Sequence, residues 1–422
     1  MTEYSEYKDS GQQWLGKVPS HWAIAKISTI FDENSKQNFE HEYSKQLQFK
    51  FGTIIPKKLS YDSEDSDWSI IEKYVIVKPN DIVINGLNLN YDLLSLRVGL
   101  VKEEGIITSA YILLRPKEGN NPSYLNYAFK GWDSRKLFHG MGTGVRLTLS
   151  WKELKNYYIP IPPKEEQEAI VAYLDKVTDD IDKAITAKQR IIASLEERRK
   201  IIITHAVTRG INPDAPLKGS GIDWLGDIPA HWEVIRIKYL LNEKKVRSKT
   251  GAEEPLSMSQ RKGLIPTKMM GVIPNLAASY VDAKLVSKGD LVFNKLKAHL
   301  GVFNVSEYEG LVSPDYAVYN TTGKADLKFL EYVFKTPNCI NEFKKLITGV
   351  GSGLSRLYTN DLYSIYCAIP PIDEQLSIRN HIVNQTKAIS EAIDQCQSII
   401  DLLRERKNII INETVTGKVK VI

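Results

Sequence analysis

The feature that most constrains this chain is that it is written twice. Trp14-Leu15-Gly16-Lys17-Val18-Pro19-Ser20-His21-Trp22 returns as Trp224-Leu225-Gly226-Asp227-Ile228-Pro229-Ala230-His231-Trp232, an offset of 210 residues. Ile161-Pro162-Pro163-Lys164-Glu165-Glu166-Gln167 returns as Ile369-Pro370-Pro371-Ile372-Asp373-Glu374-Gln375, an offset of 208. Even the ends of the copies agree, Val207-Thr208 matching Val415-Thr416. A solenoid repeat is about 20–45 residues long. A unit several times longer is a domain with its own connector, so the chain is a pseudo-twofold object.

Each copy runs through the same order of segments. After the WLGxxPxxHW opening come short runs of alternating β-branched residues broken by Gly, Pro and Asn, such as Asp81-Ile82-Val83-Ile84 and Asp290-Leu291-Val292-Phe293. These predict strands with turn punctuation. A helical piece follows (Tyr124 to Lys130; Leu327 to Lys335), then a glycine-rich loop, then the Pro-Pro stop. The unit is a mixed α/β domain of about 160 residues.

Beyond each Pro-Pro pair the apolar period changes from two to about three and a half. Heptad positions counted from Ile170 include Leu174, Val177, Ile181, Ile191, Leu195 and Ile202. From Ile378 they include Ile382, Ile389, Ile399, Leu403 and Ile410. Eight of eleven positions are apolar in each run, and neither run contains Pro or Gly, so both are long amphipathic helices. At about 40 residues each would span ~60 Å. A narrow apolar stripe of that length needs a partner, and the other copy offers one of the same phase. The alternative is that each helix packs separately within its own domain. Antiparallel pairing would instead hold the two domains apart as a ruler.

Composition excludes several classes. No stretch approaches the ~18 consecutive apolar residues of a membrane span. The polar, acidic start (Met1-Thr2-Glu3-Tyr4-Ser5-Glu6) does not have the order of a signal peptide. Three scattered cysteines (Cys339, Cys367, Cys396) make neither a disulfide framework nor a zinc site, and a reducing cytoplasm fits them. The net charge of +5 permits a nucleic-acid partner without requiring one.

Comparing the halves separates frame from variable parts. Trp14/Trp224, Trp22/Trp232, Pro19/Pro229 and the Pro-Pro pairs agree, whereas 31–78 and 241–288 can hardly be aligned. A shared frame with divergent inserts suggests two modules of one class with different targets. Within 236–300 there are thirteen Lys/Arg against five Asp/Glu, a local surplus larger than the net charge of the whole chain. Phosphate contact needs such an excess, with amides interleaved for base edges. Candidate contacts there are Gln260, Arg261, Lys262, Lys268, Asn294, Lys295, Lys297 and His299. In the first copy 31–81 carries ten acids against seven bases. Its candidates are Lys57, Lys58, Asn85, Asn88, Asn90 and Arg97. The glycine loops add Thr143 with Arg146, and Ser352 with Arg356. They fit neither GxGxxG after a strand nor a P-loop ending in Gly-Lys-Ser/Thr. Backbone amides and an arginine beside a phosphate is one reading of these loops; plain turns is the other.

No catalytic constellation stands out, and no catalytic or metal-ligating residue is assigned. Asn121-Pro122-Ser123-Tyr124 has Ser where an amino-methyltransferase signature needs a second Pro, so a turn capping a helix is expected there. Pro314-Asp315 with Asp326-Leu327-Lys328 superficially matches a nuclease pattern, but the first copy has Ala110-Tyr111 at the matching place and Asp326 opens a helix. The seven histidines form no HExxH and no triad grouping.

The duplicated openings, the two IPPxxEQ starts and the two long helices together resemble the specificity subunit of type I restriction-modification systems. Ser257 to Gly263, with Asn294 and Gly310-Leu311-Val312-Ser313-Pro314-Asp315-Tyr316, resembles one recurrent target-recognition type of that family. The resemblance implies an α+β fold: two globular α/β target-recognition domains separated by two long helices forming an antiparallel coiled coil. The expected divisions are a first recognition domain over 1–163, a spacer helix over 164–208, a second recognition domain over 209–371, and a second helix with tail over 372–422. It further implies a non-catalytic DNA-binding subunit, each domain reading half of an asymmetric, interrupted site in double-stranded DNA. Its partners would be two methyltransferase subunits and motor-nuclease subunits. S-adenosylmethionine, ATP and Mg are expected on those partners, with none bound by this chain. A self-contained methyltransferase or nuclease, and a coiled-coil organiser with no DNA role, are the competing readings.

Overall fold

The computed structural model describes residues 3–57, 71–90, 96–144, 147–259, 262–270, 279–347 and 356–421, the side chain of His299 excepted. It divides into two compact units, Met1–Lys188 with Ser398–Ile422, and Gln189–Gln397.

The first unit is built on strands β1 (Phe31–Glu33), β2 (Leu47–Lys50), β3 (Thr53–Pro56), β4 (Val75–Val77), β5 (Ile82–Ile84), β6 (Val98–Leu100), β7 (Gly105–Ile107) and β8 (Ile112–Pro116). A four-stranded antiparallel sheet has the order β1-β8-β5-β6. Strand β5 is buried on both faces. Ile82 and Ile84 pack among Tyr124, Leu125 and Phe129 of helix α1 (Pro122–Ser134). Val83 points the other way, among Leu47, Ile54, Val75 and Ile107 of the β2–β3 hairpin and the β4–β7 pair. Helix α1 starts where the sequence places a cap: the Asn121 side chain accepts from the Ser123 (2.9 Å) and Tyr124 (3.2 Å) amides, with Pro122 beside it. Helix α2 (Lys164–Arg209) contributes residues 164–188 to this unit and 189–209 to the second.

The second unit repeats the plan with β9 (Leu241–Glu243), β10 (Leu256–Ser259), β11 (Gly263–Pro266), β12 (Lys284–Val286), β13 (Leu291–Asn294), β14 (Phe303–Val305), β15 (Gly310–Val312) and β16 (Tyr316–Thr321). Its sheet has the matching order β9-β16-β13-β14, with β10–β11 and β12–β15 as the separate pairs. Leu291 and Phe293 face Phe329 and Leu330 of helix α3 (Leu327–Phe334), while Val292 faces Leu256, Leu264, Val286 and Val312. The Asp326 side chain caps α3 by accepting from the Phe329 amide at 2.8 Å. Within 31–78 and 241–288, which resist alignment as sequence, the described strands therefore come in one order and pair alike. Helix α4 (Ile372–Val415) gives its first part to this unit and its last turns to the first.

The duplicated motifs form a clasp inside each unit. In the first, His21 Nε2 lies 2.8 Å from Glu166 Oε2, and the Tyr4 hydroxyl donates to Glu166 Oε1. Burial, and then the Glu166 carboxylate, push the Tyr4 phenol well above its usual range, so it stays a donor. In the second, His231 Nε2 lies 2.7 Å and Trp232 Nε1 3.1 Å from Glu374. The neighbouring glutamine spans two segments. Gln167 accepts from the Asn121 amide at 2.8 Å and donates to the Pro162 carbonyl at 2.9 Å. Gln375 accepts from the Asp326 amide at 2.8 Å and donates to the Pro370 (2.8 Å) and Lys324 (3.1 Å) carbonyls. The WLGxxPxxHW and IPPxxEQ motifs are thus two halves of one joint, fixing each long helix to the domain it leaves.

The far helix ends close the same joint. A Cβ on Gly417, just past α4, would meet Pro19 at 2.3 Å and Trp22 at 3.2 Å. One on Gly210, just past α2, would lie near Glu374, Trp232 and Pro229 at 3.4–3.8 Å. In the first unit Ile170 and Leu174 share a core with Ile411 and Val415, and Lys407 pairs with Asp182 at 2.7 Å. In the second, Ala206 and Val207 share a core with Ile378 and Ile382. The start of one long helix and the end of the other thus pack together within each unit.

The apolar stripe does not keep the strict heptad. Ile191 and Ile399 are 44% and 39% exposed, whereas the next residue in each helix, Ile192 or Ile400, turns inward. Both failures fall 21 residues, three heptads, beyond the first seam residue. A straight helix drifts ~20° per heptad, so by then the inward position has moved on by one residue. Among the other seam positions Ile170, Leu174, Ile181, Ile378, Ile382 and Ile389 are buried; Val177, Leu195, Ile202, Leu403 and Ile410 are half-buried.

The clasp makes a test. Gln375 is fully buried, and Gln375→Ala strands an amide and two carbonyls. Urea unfolding should show a loss of about 1–3 kcal/mol; an unchanged midpoint would argue that the glutamine holds nothing together.

Candidate nucleic-acid interface

Both sheets release their central strand into the loop that carries the candidates. Asp81-Ile82-Val83-Ile84-Asn85 and Asp290-Leu291-Val292-Phe293-Asn294 are equivalent strands, each ending in an asparagine that turns the chain. Asn85 accepts from the Leu87 amide at 3.1 Å, and Asn294 from the Leu296 amide at 3.0 Å. The strand starts are anchored alike. Arg115 donates to both Asp81 oxygens (2.8 and 2.7 Å), and Lys244 pairs with Asp290 at 2.8 Å. Those buried carboxylates fix the strands and leave the loops to vary.

In the first unit the glycine loop lies against the amide-rich loop. Leu149 donates to the Gly86 carbonyl (2.9 Å) and Leu89 to the Leu147 carbonyl (3.1 Å). A Cβ on Gly86 would meet the Leu149 carbonyl oxygen at 2.3 Å, which is why that position is glycine. Asn85 is half-buried; Asn88, Asn90 and Thr143 are exposed, Asn88 in the left-handed region at φ 51°. Thr143 exchanges backbone bonds with Thr148 across the glycine turn.

Arg97 departs from expectation. It is 1% exposed, and its guanidinium donates to the Asn85 (3.1 Å) and Leu87 (2.9 Å) carbonyls while its amide donates to Asp133 at 2.7 Å. It shapes the candidate loop from inside and is not presented to a phosphate. The sequence placed it correctly beside the loop but could not tell which way it points. Lys57 is exposed at the end of β3 and reaches Gln46 at 3.3 Å. Lys58 and Arg146 lie outside the described residues.

The second unit assembles the equivalent group. The Lys295 amide donates to the Asp315 carbonyl (3.3 Å), the Leu357 amide to the Lys295 carbonyl (3.1 Å), and Arg356 pairs with Asp315 at 2.8 Å. Asn294, Lys295 and Arg356 are therefore neighbours, each half-buried, and Lys297 is exposed. The pairing with Asp315 partly neutralises Arg356 and weakens it as a phosphate ligand. Lys262 is exposed; Lys268 is exposed but paired with Glu254 at 2.8 Å. Gln260, Arg261, Ser352 and the His299 side chain lie outside the described residues. Lys262, Lys295 and Lys297 form no ion pair among the described residues, so that charge remains available.

Sequence reading missed what ties the hairpin to these loops. In the second unit the half-buried Tyr316 stands between Asn294 and the Met258 backbone of β10, and burial pushes its phenol up. Asn304 in β14 accepts from the Leu264 amide of β11 at 3.0 Å and contacts Glu331 of α3 at 3.5 Å. Glu331, 2% exposed, also accepts from the Val305 amide at 2.8 Å and pairs with Lys328 (2.9 Å) and Lys335 (2.6 Å). The i,i+3 and i,i+4 lysines were visible in sequence as a helix-face pattern, but the strand they serve was not.

Residues 95–193 match the family model described as type I restriction modification DNA specificity domain. The chain is similar to two proteins of Methanocaldococcus jannaschii. One is a putative type I restriction enzyme MjaX specificity subunit, 24% identical, covering 96% of each chain. The other is the type I restriction enzyme MjaVIII specificity subunit, 23% identical over 96% of this chain and 94% of that one. A solved chain described under complex assembly and conformational transition of the type I R-M system shares the fold, with a TM-score of 0.63 at 13% identity over 95% of this chain and 99% of that one. The class is thus a two-domain α+β scaffold on long helices, and the resemblance to type I restriction enzyme specificity subunits runs nearly end to end.

Among the described residues no group of His, Cys, Asp and Glu could hold a metal ion, and no helix is long and apolar enough to cross a membrane. All three cysteines are free and buried; burial pushes the Cys367 thiol up to about 12.

Glu331 gives a pH test. Burial pushes its carboxyl up, but the Lys335 and Lys328 ammonium groups outweigh that and hold it below the usual range. A depressed folded-state pKa stabilises above the unfolded value of about 4.3, and the stabilisation is lost as pH falls through the folded value. Glu331→Gln should therefore lower stability near neutrality and lose part of the wild-type decline on acidification. Urea unfolding at about pH 7 and about pH 3 measures both; parallel pH curves for the two proteins would count against the coupling.

Proposed function

We propose that this chain is the DNA sequence-specificity subunit of a type I restriction-modification complex. Each unit reads one half of an asymmetric, interrupted site in double-stranded DNA. The observation that carries this reading is that one loop cluster is built twice on the same sheet, with different exposed side chains on each copy. Lys262, Lys295 and Lys297 supply phosphate contact in the second unit; Asn88, Asn90 and Thr143 supply polar groups in the first. The recognition domains are assigned to 1–163 and 209–371, with the helices over 164–208 and 372–422 setting the gap between half-sites and docking two methyltransferase subunits. Motor-nuclease subunits complete the assembly. The chain itself is non-catalytic, and S-adenosylmethionine, ATP and Mg belong to the partner subunits.

Two measurements test this. Affinity of the assembled complex for its mapped sites should fall steeply with salt. Replacing Lys262, Lys295 and Lys297 by Gln should reduce the slope of log affinity against log salt by up to about 3, roughly 0.9 per phosphate contact. An unchanged slope removes the phosphate contacts from this segment. Separately, matched insertions near Lys188 in α2 and near Ser398 in α4 should change the tolerated gap while both half-sites keep their letters. Methylome sequencing of expressing cells reads both; altered letters at a constant gap would refute the spacing role.

A further inference from the structure

Each unit packs an equivalent two-stranded hairpin over its own four-stranded sheet, but the two units crown that hairpin differently. In the second unit β10 and β11 are joined through Gln260-Arg261-Lys262, and Gly263 (φ 70°) begins the return strand. In the first unit β2 and β3 are joined by two residues, Phe51 and Gly52, with Lys50 paired to Thr53. The pairing aligns the two hairpins from Leu47–Pro56 and Leu256–Pro266 up to Lys50–Thr53 and Ser259–Gly263, so the connections above these last pairs are the equivalent tips. A Cβ on Gly52 would meet Leu96 at 2.9 Å, at the start of β6; one on Gly263 would meet Asn304 at 2.7 Å, in the corresponding strand β14. The tip that carries the exposed Lys262 in one copy therefore carries a phenylalanine in the other.

Phe51 sits there against two physical preferences. Its φ is 49° and that of Gly52 is 72°, so both central residues of the two-residue turn are left-handed. Such turns favour Asn-Gly or Asp-Gly, and an aromatic residue at the first position is strained. The ring is also 79% exposed, the largest exposure among the exposed large hydrophobic residues of the described chain. Leu96, 52% exposed, lies beside the turn, and Lys50 holds its ammonium 5.9 Å from the Phe51 ring. The patch is continuous with the candidate loop, because the residue after Leu96 is Arg97, whose guanidinium and carbonyl hold the Asn85 to Leu87 backbone. Local rules broken in this way are found at functional sites.

We propose that Phe51 is a DNA-reading residue of the first unit, its ring stacking on or wedging between bases while the neighbouring amides take base edges. The occupant is duplex DNA, for three reasons: the patch adjoins the candidate loop, the equivalent tip in the other copy carries the exposed Lys262, and Lys50 stands beside the ring. A flat apolar face recognises bases by stacking, without phosphate contact. This also answers the acidic character of the first variable region: that unit reads more by stacking and less by charge. The inference rests on the proposed DNA-specificity function.

The test uses the full chain assembled with its methyltransferase subunits, and short duplexes carrying the sites mapped by methylome sequencing. Phe51→Asn places the residue this turn prefers, so its thermal midpoint should equal or exceed the wild type. Its affinity for the mapped duplex should fall roughly 5- to 100-fold, with the salt slope unchanged. Phe51→Tyr should restore most of the affinity. 2-Aminopurine placed along the first half-site should change its fluorescence on binding wild type and not Phe51→Asn. If wild type shows no preference for the mapped duplex, the specificity reading fails and this inference with it. If wild type shows the preference and Phe51→Asn matches it in affinity and fluorescence, the inference alone is overturned.

Discussion

Everything in this chain depends on how a long helix is fixed to a small domain. A helix of 46 residues leaving a sheet of short strands could swing at its first turn unless that turn is fixed to the domain. The fixing is polar. Glu166 or Glu374 binds the aromatic residues of the opening, and Gln167 or Gln375 bridges the proline turn to the cap of the short sheet-covering helix. Hydrogen bonds of fixed direction specify an angle, which apolar contact alone does not. The two copies reach the same result with different donors: Tyr4 and His21 in one, Trp232 and His231 in the other.

Above that joint, the sheet separates invariant from variable work. The central strand is buried on both faces, against a helix below and a hairpin layer above, and the residue before it is an aspartate tied to a basic side chain. A strand held so tightly can end in a loop of almost any composition without unfolding the domain. This explains how the sequences of 31–78 and 241–288 can diverge past recognition while their described strands pair alike. The amino acids are constrained only where they touch the sheet.

The parts of the fold legible in sequence are those where one physical signal acts locally. The repeat, the Pro-Pro stops, the caps at Asn121 and Asp326, and the long helices were read from motif and period. What the period could not supply was the seam beyond three heptads, because a small mismatch between 3.5 and 3.6 residues per turn accumulates unseen until Ile191 and Ile399 turn outward. The candidate loops were located by their amides and glycines. The role of Arg97 was not: an arginine that reaches inward to carbonyls and one that reaches outward to phosphate have the same letter and the same neighbours in sequence. Phe51 was missed for a related reason. A phenylalanine between β-like runs reads as part of a core, and only its place at a hairpin tip equivalent to the one that carries Lys262 separates it from one.

If both units read DNA as proposed, they divide that task by chemistry on equivalent sheets. Charge attracts any duplex over a Debye length but distinguishes little, whereas ring stacking and amide contacts act only on arrival. The second unit concentrates cations whose carboxylate partners are too few to neutralise them; the first concentrates amides and an exposed ring in an acidic setting. A chain built this way would engage DNA first through the basic unit, and the weaker electrostatics of the other would leave its half-site decided by contact alone. Salt should then weaken the capture of DNA far more than it changes the letters that the first unit accepts.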